Sequence, residues 1–334
     1  MSVRNLSLTS AGDNVTYDLG ELDRSKPFYV AGHNGLVGSA IMRHLERQQF
    51  GNLLGRSSRE LDLRDRDRVF DFFSEKQPHY VIMAAARVGG ILANSTQPVD
   101  FLSDNLRMQV NVLDAAREFG VERLLFLGSS CIYPKFAQQP IQEGSLLTGH
   151  LEPTNDAYAI AKIAGIMHVQ AIRRQYGLPW ISAMPTNLYG PGDNFSLKGS
   201  HVLPAMIRRY EEAVSLGATS VTNWGSGSPR REFLHVDDMA AACLHLMEQY
   251  DGPDQVNVGT GTDVSIRELA EIVSTATGYE GETIWDSSKP DGTPQKLLDV
   301  SKLNSSGWRA QIDLEQGIAD TLTWFRANQG LLRT

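Results

Sequence analysis

Phe28-Tyr29-Val30-Ala31-Gly32-His33-Asn34-Gly35-Leu36-Val37-Gly38 decides the fold of this chain. The apolar run 28–31 reads as a buried strand, and Gly32 punctuates its end. From 35 to 50 the apolar residues Leu36, Val37, Ile41 and Leu45 recur at helical spacing. Strand, glycine turn and helix in that order form the opening unit of a dinucleotide-binding sheet. Gly32, Gly35 and Gly38 permit the tight turn, the approach of backbone N–H groups to a pyrophosphate, and close helix–strand packing. Their spacing is GxxGxxG rather than GxGxxG, so the flanking strand and helix carry much of the inference.

The same rhythm continues outward. Strands are expected at 52–54, 80–86, 123–128 and 180–184, with helices at 69–75, 101–119 and 157–176. Such alternation implies a parallel sheet covered on both faces. After Pro185 the pattern loosens into the loop 190–194. Helices follow at 202–214, 237–250, 266–277 and 314–328. The strand 233–236 is expected to return the chain to the sheet, with another at 255–258. The predicted architecture is α/β: a Rossmann-type doubly wound parallel sheet with a smaller discontinuous C-terminal substrate lobe. Its divisions are an N-terminal extension at 1–26, a dinucleotide-binding domain at 27–189 plus 233–261, and the substrate lobe at 190–232 plus 262–334.

Composition narrows the function. The chain has 334 residues, 41% hydrophobic and 21% charged, which suits a globular protein with a sizeable core. A formal net charge of −8 argues against nucleic-acid binding, so an anionic ligand requires locally gathered cations. Two cysteines, Cys131 and Cys243, make no disulfide framework and fit a reducing cytoplasm. The first 26 residues lack the apolar core of a signal peptide. No stretch approaches the ~20 apolar residues of a membrane span.

Where the second strand should meet the adenosine ribose, an NAD site usually places an acid. Here the chain has Arg56-Ser57-Ser58-Arg59. Cations and hydroxyls suit a ribose phosphate, so NADP(H) is the expected cofactor. Asp62 is placed to bind the adenine edge, and the small Ala84, Ala85 and Ala86 let the cofactor lie against the sheet.

The reacting centre is read from Tyr158-Ala159-Ile160-Ala161-Lys162 and Gly128-Ser129-Ser130-Cys131. Tyr158 and Lys162 share one helix face. The Lys162 ammonium is expected to favour the Tyr158 phenolate, and Ser129, arriving from a strand end, to bind the same oxygen. That trio handles a carbonyl oxygen during hydride transfer. Cys131 suggests further acid–base chemistry next to it.

Together these features resemble the extended short-chain dehydrogenase/reductase superfamily, from about residue 27 to the C-terminus. Further segments are similar to the GDP-L-fucose synthase family. They include Arg87-Val88-Gly89-Gly90-Ile91, Leu127 to Lys135, Leu151 to Asn155, Met184 to Pro191, Trp224 to Gly227, Arg231 to Asp238 and Lys289 to Pro294. The resemblance implies GDP-4-keto-6-deoxy-D-mannose as substrate, epimerised at carbons 3 and 5 and then reduced at carbon 4 by NADPH. It implies catalytic roles for Ser129, Tyr158 and Lys162, with Cys131 as base and His201 as acid. Ser130, Asn187, Arg209, Trp224, Arg231 and Asp291 fall at the substrate. Leu127, Gly128, Pro185, Asn187 and Leu188, with Lys162, fall at the cofactor. No metal is implied. A homodimer formed through helices 101–119 and 157–176 is.

Cys131 separates this chain from neighbouring chemistries. Related 4,6-dehydratases carry acidic residues where Ser130 and Cys131 stand, and 4-epimerases carry small ones. Two positions depart from the family. Asn34 stands where an arginine is common, and Ser58 occupies another such place, which leaves the 2′-phosphate to Arg56 and Arg59. The alternatives are a related nucleotide-sugar 4-reductase or epimerase giving another deoxyhexose, and a sensor that binds NADP without turnover.

Overall fold

A computed structural model describes residues 19–196, 199–289 and 291–331. In chain order the first half comprises β1 (Phe28–Ala31), α1 (Leu36–Arg47), β2 (Leu53–Leu54), α2 (Arg66–Lys76), β3 (Tyr80–Met83), α3 (Ile91–Thr96), α4 (Pro98–Glu118), β4 (Arg123–Leu127), α5 (Asp156–Tyr176) and β5 (Ile181–Pro185). The second half comprises β6 (Asn187–Tyr189), α6 (Val202–Leu216), β7 (Ser220–Trp224), β8 (Arg230–Arg231), β9 (Phe233–His235), α7 (Val236–Gln249), β10 (Val256–Val258), β11 (Val264–Ser265), α8 (Ile266–Thr277), β12 (Glu282–Asp286), β13 (Gln295–Lys296), α9 (Ser301–Ser305) and α10 (Leu314–Ala327).

Six strands form one parallel sheet in the order β10-β5-β4-β3-β1-β2. Its strands are apolar on both sides, and alternate residues feed two cores. Tyr29, Val81, Leu124 and Phe126 face α2, α4 and α5, where Phe73, Leu113 and Ile166 are buried. Phe28, Val30, Ile82 and Leu125 face α1 and α7, where Ile41, Leu45, Met239 and Met247 are buried. The chain leaves β1 toward β2 and then crosses to β3 on its other side. That reversal opens a crevice at the carboxyl ends of β1 and β3, where such sheets bind ligands.

A third core is built from β6, β9, α6, α8 and α10, around Tyr189, Tyr210, Leu269, Val273, Ile318 and Phe325. Small sheets stitch this region: β12 with β7, and β8 between β11 and β13. The expected return of 233–236 to the large sheet is corrected here. β9 pairs with β6 in its own two-stranded sheet, and β10 alone rejoins the large one beside β5. A three-residue apolar strand carries no mark of which edge it will join. The third strand also ends at Met83, so the alanines lie in the loop beyond it.

Of the N-terminal extension, residues 1–18 lie outside the described residues. The remainder docks: Leu22 is buried, and the Asp23 amide donates to the Tyr80 hydroxyl at 3.1 Å. Among the described residues no helix is long and apolar enough to cross a membrane.

Candidate active site

The glycine turn is shaped by contacts that exclude side chains. A Cβ on Gly38 would lie 2.1 Å from the Gly32 carbonyl oxygen. Gly32 itself has φ +86°, and a Cβ there would come within 2.7 Å of the Ala85 amide nitrogen. Helix α1 therefore starts directly against the turn, with Gly35 as N-cap and no side chain from that residue over its first N–H groups. Exposed helix N–H groups and the positive end of the helix dipole suit a pyrophosphate. The Ala84–Ala85 backbone closes on this turn. The cradle fits a dinucleotide.

The basic turn after β2 is more self-contained than its sequence suggested. Arg56 donates to the Gly55 carbonyl at 2.7 Å and lies over the Phe72 ring. Ser57 gives both its amide and its hydroxyl to Glu60, at 2.8 and 2.7 Å. Ser58 and Arg59 are exposed. Asp62, expected at the adenine, has both carboxylate oxygens engaged by Arg64 at 2.8–3.2 Å, and this pairing lowers its pKa.

At the carboxyl end of β4 four predicted groups converge. Ser129 caps a short 3-10 turn, its hydroxyl oxygen accepting from the Cys131 amide at 3.4 Å. The Ser129 O–H hydrogen is left to donate elsewhere. Helix α5 crosses close above this turn, because a Cβ on Gly165 would lie 2.3 Å from the Phe126 ring. Lys162, buried, thereby reaches the Leu127 carbonyl at 2.7 Å. Its Nζ also lies 4.9 Å from the Phe126 ring centroid and 5.9 Å from that of Tyr158. Phe101 packs edge-on against Tyr158 at 6.4 Å.

The electrostatics reverse one expectation. Desolvation, then the neighbouring Cys131, pushes the Tyr158 pKa up rather than down. Lys162 is itself desolvated to a pKa of about 8, and its ammonium is spent on a backbone carbonyl. Burial outweighs the cation, and the resting phenol keeps its proton.

The remaining predicted residues lie on several further elements. Pro185 ends β5 and Leu188 sits in β6, while the Asn187 Nδ2 donates to the Glu232 carbonyl at 2.8 Å. Ser130 is buried beside Cys131. His201 is the N-cap of α6 without a side-chain cap bond; it is solvent-accessible, yet the protein crowded round its ring lowers its pKa. Arg231 lies in β8, its guanidinium donating to the Arg230 carbonyl at 2.7 Å. Trp224 is 71% exposed, with the Lys289 Nζ 5.8 Å from its ring. Asp291 grips Ser226 through amide and hydroxyl at 2.9 and 2.7 Å, which lowers its pKa. Arg209 is turned inward, donating to the Asn223 Oδ1 at 2.6 Å.

Sequence reasoning missed Lys296. β13 places it in register with Arg231 of β8, and both Cys131 and Glu152 act on its charge, while desolvation lowers its pKa. Its only signal was a lysine a few residues beyond Asp291, in a segment without periodicity.

Residues 28–259 match the NAD dependent epimerase/dehydratase family. The chain is 57% identical to GDP-L-fucose synthase 1 of Arabidopsis thaliana over 92% of its length and 95% of the relative's. It is 52% identical to the GDP-L-fucose synthase of Escherichia coli K12, covering 91% of this chain and 98% of that one. A GDP-L-fucose synthetase of Naegleria fowleri, solved bound to NADP, superposes with a TM-score of 0.90 at 31% identity, covering 97% of this chain and all of the other. By fold, glycine cradle and full-length identity, this chain belongs to the NAD dependent epimerase/dehydratase family and, within it, groups with the GDP-L-fucose synthases.

Proposed function

We infer that the chain is an NADP-dependent epimerase–reductase that converts GDP-4-keto-6-deoxy-D-mannose to GDP-L-fucose. The observation that carries the mechanism is the gathering of Ser129, Cys131, Tyr158 and Lys162 at one strand end.

Hydrogens beside a ketone are acidic because the resulting enolate carries its charge on the carbonyl oxygen. The Ser129 and Tyr158 hydroxyls hold that oxygen by hydrogen bonds, which strengthen as charge develops. Cys131, as base, removes the proton at carbon 3 or 5, and His201 returns one to the opposite face. Bound NADPH supplies hydride to carbon 4. Tyr158, holding its proton at rest, passes it to the carbon 4 oxygen as the alkoxide forms. Lys162 anchors this face of α5 to β4 through the Leu127 carbonyl.

Arg231, together with Lys296, meets the diphosphate, and the exposed Trp224 packs on the ligand. Arg209 reaches the phosphates only by exchanging its bond to Asn223. The glycine cradle holds the dinucleotide, and Arg56 and Arg59 meet its 2′-phosphate. Two copies pair through α4 and α5, whose outer faces leave Val99, Val110, Ile160 and Met167 at least 39% exposed.

The test is NADPH oxidation with GDP-, UDP- and dTDP-linked 4-keto sugars, followed by NMR of the product. Oxidation confined to the GDP sugar, with inverted carbons 3 and 5, is expected. A product inverted at neither carbon refutes the epimerase half and leaves a simple 4-reductase.

A further inference from the structure

Glu232 lies between β8 and β9, fully buried at 0% exposure, and takes no part in the chemistry above. Its Oε1 accepts from the Thr260 and Gly261 amides, each at 2.7 Å, and its Oε2 from the Leu298 amide at 3.0 Å. Its own carbonyl accepts from the Thr186 hydroxyl at 3.2 Å and the Asn187 side-chain amide at 2.8 Å. One residue thus ties together the loop after β10, the chain just beyond β13 and the start of β6.

Burying a carboxylate carries a heavy desolvation penalty, and apolar packing joins segments at lower cost. Burial raises the Glu232 pKa, while the backbone donors favour its charged form. What distinguishes this position is what it joins. Arg231 immediately precedes it. Lys296 pairs with Arg231 in register, two residues before the Leu298 amide that Glu232 holds. Arg231 and Lys296 repel each other. Two like charges kept side by side need an external brace, and the Glu232 carboxylate bridges the strands that carry them. Through its carbonyl, Glu232 also fixes the Asn187 amide, with Nδ2 committed and Oδ1 left as its acceptor.

We propose that Glu232 is a positioning residue for the nucleotide-sugar subsite, its carboxylate holding Arg231 and Lys296 at the separation that grips a diphosphate and its carbonyl orienting Asn187. The proposal rests on the function inferred above. Its test reads ligand affinity, which is separable from turnover.

The variants are Glu232→Gln and Glu232→Asp in the full chain. Calorimetric affinities for GDP and for NADPH, KM and kcat for the 4-keto sugar, and the melting temperature are measured on each. Gln presents an N–H₂ to backbone donors. It is expected to weaken GDP binding and raise KM about tenfold or more, the scale of one lost charge-assisted hydrogen bond. NADPH affinity and kcat should stay within about threefold, by the same reasoning of locality. Asp, keeping the charge, should recover part of the GDP affinity. In an Arg231→Ala/Lys296→Ala background the Gln substitution should add little, because its effect runs through those cations.

Equal losses of GDP and NADPH affinity, tracking a fall in melting temperature, would overturn the proposal in favour of a purely structural role. So would a full additive loss in the double-alanine background. If Glu232→Gln does not accumulate folded, Glu232→Asp carries the same comparison. A wild-type protein that binds GDP and NADPH but turns over no 4-keto sugar sinks the functional reading while leaving the brace to be judged on GDP affinity alone.

Discussion

Lys162→Met tests whether the ammonium at the reacting centre is held against its own desolvation. Lys162 is 3% exposed, and its pKa falls from 10.5 to about 8. The folded protein therefore binds its proton less tightly than the unfolded chain does. Below pH 8 both states are protonated and the full cost of the shift is present. Between pH 8 and 10.5 the folded state gives up its proton first, and the cost fades. Above 10.5 it is gone. The 2.5-unit difference between those two values amounts to about 3 kcal/mol at pH 7. At pH 9.5 the same relation leaves roughly 1.4 kcal/mol. Met removes the titration but also orphans the Leu127 carbonyl, a penalty that does not vary with pH. The difference in unfolding free energy, variant minus wild type, should thus fall by about 2 kcal/mol between pH 7 and pH 9.5. Urea unfolding of both proteins without nucleotide, at several pH values, measures it, since groups not coupled to Lys162 cancel. A difference that stays flat across that range would mean that Lys162 is solvated in the folded state, and the account of its burial would be wrong.

Other outcomes follow from the same geometry. Cys131→Ser should slow exchange of the carbon 3 and carbon 5 protons in heavy water by roughly 10²–10⁴-fold, the usual worth of a general base; unchanged exchange would remove Cys131 from the mechanism. Gly38→Ala puts a methyl 2.1 Å from the Gly32 carbonyl. It should weaken NADPH binding at least about tenfold by pushing α1 off the turn, read by fluorescence titration. Ile160→Glu charges the outer face of α5 and should convert a dimer to monomer in analytical ultracentrifugation with the fold intact; a wild type already monomeric refutes the dimer.

How much of this was readable in the chain depends on sequence distance. Ser129, Cys131, Tyr158 and Lys162 fall in two short segments at the ends of strongly apolar elements, so strand ends and a four-residue helix spacing were enough to group them. Gly32 and Gly38 were equally legible, because only a glycine tolerates those contacts. Lys296 and Glu232 were not. Their placement depends on β8 and β13, two-residue strands separated by more than sixty positions and too short to leave any periodicity. The basic turn was legible only in part: its charges suit a phosphate, but the sequence did not show that Arg56 bonds its own backbone or that Asp62 finds Arg64 two residues on. Local polar partners compete with a ligand for such side chains.

The reversed Tyr158 shift bears on how one site serves two reactions. Epimerisation asks for a donor that stabilises an enolate oxygen without surrendering its proton for good. Reduction asks the same group to release that proton once hydride has arrived. A phenolate meets neither demand: it has no hydrogen to share with the enolate and none to give the alkoxide. A phenol held protonated by desolvation meets both, since the alkoxide is the first base in the sequence strong enough to take its proton. A phenol that keeps its proton leaves the proposed base role beside the ketone to Cys131. Lys162, anchored on the Leu127 carbonyl, keeps α5 in the register that sets the two side by side.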